Sequence, residues 1–281
     1  MKLLPNGGII RSSRGSNFVV CKAQKNVDET SPSLNVKQLS LWALEGFYVV
    51  WLFFLPFAPG DPVWAISSNT VRDLLGLSLN FFFILPFVNS VGVHVVEAPV
   101  LHPMSEGLFN FVIGWTFMFA PLLFTDCRRD RYRGSLDILW GLQMFLTNAF
   151  LIPYMAIRLN DNGTTVHRKQ SKLGSLMTKG APYVGLIGGA ICLVSAWWAV
   201  FSRDSSFGGL AERLEFLRSY IESERLAYAF IWDIGLYTIF QPWLIGDNLQ
   251  NVQENKVELV RSLRFIPVLG LVSYLLFLDY D

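Results

Sequence analysis

The chain has 281 residues, 52% of them hydrophobic, 15% aromatic and only 16% charged, where a soluble domain carries about 25% charged residues. Its 23 basic and 22 acidic side chains leave a formal net charge of +1, which gives no electrostatic footprint for a nucleic-acid partner. Charge is missing mainly from several blocks of about twenty residues, the length that crosses a bilayer as a helix. The class that remains is an all-α, polytopic transmembrane helix bundle.

Residues 1–27 contain no Asp or Glu but carry Lys2, Arg11, Arg14, Lys22 and Lys25 among Ser12, Ser13 and Ser16. Their apolar runs are too short for a secretory signal, and the acid-poor, basic, Ser-containing composition is that of an organelle transit peptide. The run Phe18-Val19-Val20-Cys21-Lys22-Ala23 resembles the cleavage context of plant chloroplast precursors. That resemblance implies a chloroplast transit peptide over 1–25 and a plastid membrane, thylakoid or inner envelope, as the address. Residues 26–38, with Pro32 and both charge signs, read as a flexible mature N-terminus. The cysteines Cys21, Cys127 and Cys192 are odd in number and lack CxxC spacing, which predicts neither a disulfide framework nor a zinc site.

Seven apolar runs follow within 39–281: 39–57, 77–96, 107–125, 138–157, 182–201, 226–246 and 265–278. In lipid each must be helical, because no water pairs the backbone there. The last run is short for a full crossing, so the expectation is six to seven spans. Basic residues divide almost evenly between the two sides of such a topology, so the positive-inside rule sets no orientation. Pro56, Pro86, Pro121, Pro153, Pro242 and Pro267 fall in or beside six runs and predict kinked helices. Between the fifth and sixth runs, Leu210, Leu214, Leu217 and Ile221 recur at helical spacing among Glu215, Arg218 and Glu222. That pattern predicts an amphipathic loop helix over 208–225. Gly185 and Gly189 stand four apart, the spacing at which two helices approach closely. They serve packing within the chain or a homo-oligomer seam.

A charged side chain at the centre of a span costs about 2.5–3.5 kcal/mol on insertion scales. Glu45, Glu97 and Asp233 are the acids at issue, and His94 is the intramembrane base. At 100° per residue, Asn80, Ser90, His94 and Glu97 fall within about 100° of one another on one helix. Asp233, Tyr237 and Gln241 share a face of the sixth run. The expected site is therefore an intramembrane polar seam of Glu45, Asn80, His94, Glu97, Asp233, Tyr237 and Gln241. His94, Glu97 and His102 are the only grouping with metal-ligand character, too few for a committed metal site. No nucleotide-binding or hydrolase motif is present; the cofactor is unknown, with His94 a candidate axial ligand to haem or chlorophyll.

Three functions fit these features. One is a non-catalytic plastid membrane factor that supports assembly or stability of photosynthetic complexes. Another is a proton- or ion-coupled small-molecule transporter or channel. The third is a membrane enzyme acting on a carotenoid, quinone or lipid.

Overall fold

The computed structural model of the protein describes residues 32–160, 169–203 and 205–279. The expected transit peptide lies outside the described residues. Every element described is helical, and strand-like pairing among the described residues is confined to one bridge between Val252 and Leu278. Of the cysteines, Cys192 is free and buried. Cys127 is disulfide-bonded, contrary to the expectation of unpaired thiols.

In chain order the helices are α1 (Pro32–Val49), α2 (Ser68–Leu79), α3 (Ile84–Ser90), α4 (Pro103–Thr125), α5 (Leu136–Leu146), α6 (Asn148–Ile157), α7 (Lys172–Lys179), α8 (Ala181–Phe201), α9 (Leu210–Ser223), α10 (Arg225–Asp247), α11 (Val257–Leu263) and α12 (Leu269–Leu276). A π-helical turn, Val50–Phe54, extends α1. The segment expected to be flexible, 26–38, already enters α1 at Pro32.

Among the described residues three helices are long and apolar enough to cross a membrane: Ser68–Ser90 (α2 and α3 taken together), Pro103–Thr125 and Ala181–Phe201. Of these, α4 is the axis of the molecule, with 83% of its apolar window buried. Its 23 residues rise about 34 Å at 1.5 Å each. Glycines let α8 lie antiparallel against it. A Cβ on Gly107 would stand 2.7 Å from the Ala199 Cβ, and one on Gly188 would collide with Met118. Gly185 and Gly189 face Leu275 and Val272 of α12, so a helix of the same chain covers that small-residue stripe.

Contacts at the two ends of α4 fix the direction of the rest. At its start, Glu106 pairs with Arg203, just beyond α8. Arg225, at the start of α10, donates to the carbonyls of Leu52, Leu55, Ala58, Pro59 and Gly60, which ties down the turn after α1. At the far end of α4, Asp126 pairs with Arg158 after α6, which also pairs with Asp247 at the end of α10. Thus α1, α4, α8 and α10 run the length of the molecule in alternating directions.

The run 138–157, expected as one span, is two helices that form a hairpin. The chain enters α5 and leaves α6 at the Asp126 end, where Arg131 donates to the Arg158 carbonyl and Ser171 to Asp137. The turn is Thr147, at φ 41° and ψ −109°, a strained backbone for a β-branched residue. The run 265–278 likewise yields only α12, which pairs with α11 in a second hairpin from the same end. The Gln241 amide donates to the Arg264 and Ile266 carbonyls at its tip, and Leu278 returns to Val252. Between α2 and α3, Phe82 and Phe83 have φ of 53° and 57°, so Ser68–Ser90 is not one straight rod. Both ends of this region lie by α9, through Thr70–Glu224 and the stacking of His102 on Phe216.

Pro267 lies in the turn between α11 and α12, but other prolines do not break their helices. Helices α4, α6 and α10 continue through Pro121, Pro153 and Pro242. The amphipathic helix expected over 208–225 is α9. Its Arg213 is buried against the Ala199, Ser202 and Gly208 carbonyls, while Leu210 and Leu214 are exposed.

Candidate functional site

The tip of the α5–α6 hairpin meets the middle of α10 at a buried carboxylate. Asp233 is 1% exposed, and Asn148, Gln143 and Tyr237 are wholly buried. Its Oδ1 accepts from the Tyr48 hydroxyl at 2.9 Å and from Asn148 Nδ2 at 2.8 Å. The Thr147 side chain lies against both Tyr48 and Asp233. Thus α1, the broken turn and α10 converge on one acid, and each side-chain partner named is neutral. One helical turn further along α10, the Tyr237 hydroxyl shares a 2.6 Å bond with Thr116 of α4. A turn beyond that, Gln241 accepts from the Trp115 indole at 2.9 Å and from the Val268 N–H at 3.2 Å.

Several polar atoms here have no hydrogen-bond partner: both amide atoms of Gln143, Oδ1 of Asn148 and Oε2 of Glu45. The Gln143 amide is directed at the Tyr237 hydroxyl. Glu45 is half-buried, one turn before Tyr48 on α1. Buried polar groups are ordinarily satisfied, and each exception calls for a physical reason.

Two ion-pair clusters bracket this site. At one end Asp126 accepts from Arg158 Nε (2.7 Å) and Nη2 (2.8 Å), Tyr154 (2.6 Å) and Asn248 (3.0 Å). Arg158 reaches Asp247 at 2.8 Å, and both members of the Asp126–Arg158 pair are fully buried. Burial pushes the Asp126 carboxyl up. The Arg158 charge and the bonds from Arg158, Tyr154 and Asn248 outweigh it and hold the group at about 2. At the other end Glu106 accepts from Arg203 Nη2 (2.8 Å) and the Trp198 indole (2.8 Å), with Asn80 Nδ2 beside it. Nearby, burial lowers the His102 imidazole to about 4, with help from the Arg213 charge.

The seam read from the sequence therefore divides. Asp233, Tyr237 and Gln241 share the inner face of α10, with Glu45 and Tyr48 on α1 beside it. Asn80 is buried, but against Glu106. His94 and Glu97 lie beyond the end of α3, in an exposed irregular segment, paired with each other at 3.0 Å and 50% and 75% exposed. They do not join the helical face drawn for them. His102 stands apart from both: its Nδ1 accepts the Met104 N–H and its ring stacks on Phe216. Among the described residues no group of three His, Cys, Asp or Glu side chains has a metal-binding arrangement.

Tyr48, Asn148, Asp126, Arg158, Glu106 and Arg203 belong to these clusters but were not picked from the sequence. Asp126 and Arg158 are the first charges after two apolar runs, the position where a buried pair looks like ordinary loop charge. No protein-family model, curated protein or solved structure matches the chain.

Proposed function

We propose that the chain is a multi-pass membrane protein that moves a small solute or ion across the bilayer, coupled to a cation or proton at Asp233. One observation carries this reading: a buried acid with only neutral partners sits against the strained tip of a helical hairpin. In the apolar interior of a membrane protein, irregular backbone is tolerated where it is buried in protein or lines a cavity, and buried acids mark ion and proton pathways. In this reading α1, α4, α8 and α10 cross the bilayer, giving four crossings. The α5–α6 and α11–α12 hairpins enter from the Asp126 end. The exposed Ile84, Phe87, Ile138, Phe145, Leu193 and Ile239 face acyl chains. The plastid membrane is proposed as the address on the composition of residues 1–25.

The test is reconstitution of the mature chain in liposomes loaded with the pH dye pyranine, with an imposed membrane potential. Wild type is expected to pass protons or 22Na+ faster than empty liposomes, and Asp233→Asn to remove the difference. Wild-type vesicles indistinguishable from empty ones refute the reading.

A second reading, a non-catalytic factor for photosynthetic complexes, draws support from the arm after Phe83. There Val91, Val93, Val95 and Val96 are exposed and offer an apolar contact surface. Co-migration with such a complex on native gels, lost on Val95→Asp, would favour it. The enzymatic reading rested on His94, Glu97 and His102, whose placement gives it no support.

A further inference from the structure

The unpaired atoms around Asp233 are chiefly oxygens. Asn148 gives its Nδ2 to the carboxylate, which leaves its Oδ1 buried and unpaired; the Gln143 amide lies against the Tyr237 hydroxyl, and its Oε1 is buried and unpaired. Both residues are wholly buried. The Thr147 hydroxyl completes the surroundings. Asp233 Oδ1 takes two donors, which uses both lone pairs of that oxygen. A proton placed on Asp233 would supply a single donor and leave other oxygens without one. A cation satisfies several oxygens at once.

The donor set is all oxygen and amide, without thiolate or imidazole, which suits a hard cation rather than a transition metal. A single carboxylate balances one positive charge. A divalent ion would leave an uncompensated charge in a dry interior, where that is costly.

We propose that Asp233, Asn148 Oδ1, Gln143 Oε1 and the Thr147 hydroxyl form a binding site for one monovalent cation of the sodium type. Resting on the transport reading above, this names its coupling ion. The hairpin break supplies the geometry, because Thr147 and Asn148 present side chains where a continuous helix would close over α10.

The experiment uses the full mature chain in detergent micelles. Binding of 22Na+ is measured by scintillation proximity, and thermal unfolding is followed in NaCl against choline chloride at equal ionic strength. Wild type should bind about one Na+ per chain and gain stability with NaCl, as any ligand specific for the folded state confers. Gln143→Met keeps the volume and removes the ligand, and should weaken 22Na+ binding about tenfold, a difference of roughly 1.4 kcal/mol. Asp233→Asn should abolish binding. No saturable 22Na+ binding by wild type overturns the proposal, and so does unchanged binding in Gln143→Met if Asp233→Asn does not fold. Na+ binding by a protein that passes nothing in liposomes leaves this site standing and removes the transport reading. Asp233-dependent proton flux with no bound Na+ does the opposite.

Discussion

Replacing Arg158 with leucine removes the cation from the most buried ion pair among the described residues. Arg158 and Asp126 are both fully buried and joined at 2.7 and 2.8 Å. After the change Asp126 keeps Tyr154 and Asn248 as donors, so its charge is hydrogen-bonded but uncompensated. Breaking such a pair from one side costs about 3–5 kcal/mol, or roughly 10 °C in Tm at ~2–4 °C per kcal/mol for a chain of this order. Asp126→Asn added to Arg158→Leu removes the stranded charge and should restore about 2 kcal/mol, a coupling that a double-mutant cycle reads directly. The pH dependence has opposite signs in the two proteins. In wild type the carboxyl is held below its ordinary 3.8, at about 2. Its stabilisation is complete above 3.8 and is lost as pH falls toward 2. In Arg158→Leu burial is opposed only by the bonds from Tyr154 and Asn248 and raises the group, so acidification from pH 7 neutralises the stranded charge and narrows the deficit. Tryptophan fluorescence during heating, between pH 2 and 7, measures both effects. A single variant within 1 kcal/mol of wild type, or a deficit that does not change with pH, refutes the argument.

Other outcomes follow from the packing. Gly107→Val places atoms against Ala199 and the Ser195 carbonyl, 2.7 Å from an ideal Cβ, and should cost about 1–3 kcal/mol, seen as a lowered Tm with the helix content of the folded state preserved. Arg225→Met frees five carbonyls; amide exchange over 50–60 should accelerate with little change along α8. His102 is held near 4 against an ordinary 6.5, so stability should fall as pH drops from 6.5 toward 4. His102→Gln should flatten that slope in thermal scans. Unchanged slopes would show that the ring is not shielded by Phe216 and α9.

The long apolar runs and the inner face of α10 were legible because both depend on local periodicity. The runs 107–125 and 182–201 became α4 and α8 almost residue for residue. Asp233, Tyr237 and Gln241 lie where 100° per residue puts them. The span count was not legible, because hydropathy measures length and not direction. The run 138–157 carries no charge, yet it reverses at Thr147, a residue with no glycine or proline to announce the turn. The reversal is held by tertiary contact with Tyr48 and Asp233. His94 and Glu97 failed for the matching reason: the wheel assumed a helix through Phe82 and Phe83, where the backbone turns left-handed. The Asp126–Arg158 pair joins residues 32 apart across two helix ends, a distance no local pattern spans.

The hairpin has a consequence for how the protein is made. Asn148 and Asp233 stand 85 residues apart, and a ribosome adding about 5–20 residues per second needs roughly 4–17 s to cover that gap. Throughout that interval the hairpin tip has Tyr48 within reach but not its acid. The polar loop therefore settles into the bundle late, once α10 is delivered. A nascent chain truncated before Asp233 should leave Gln143 and Asn148 open to water or to a holding chaperone.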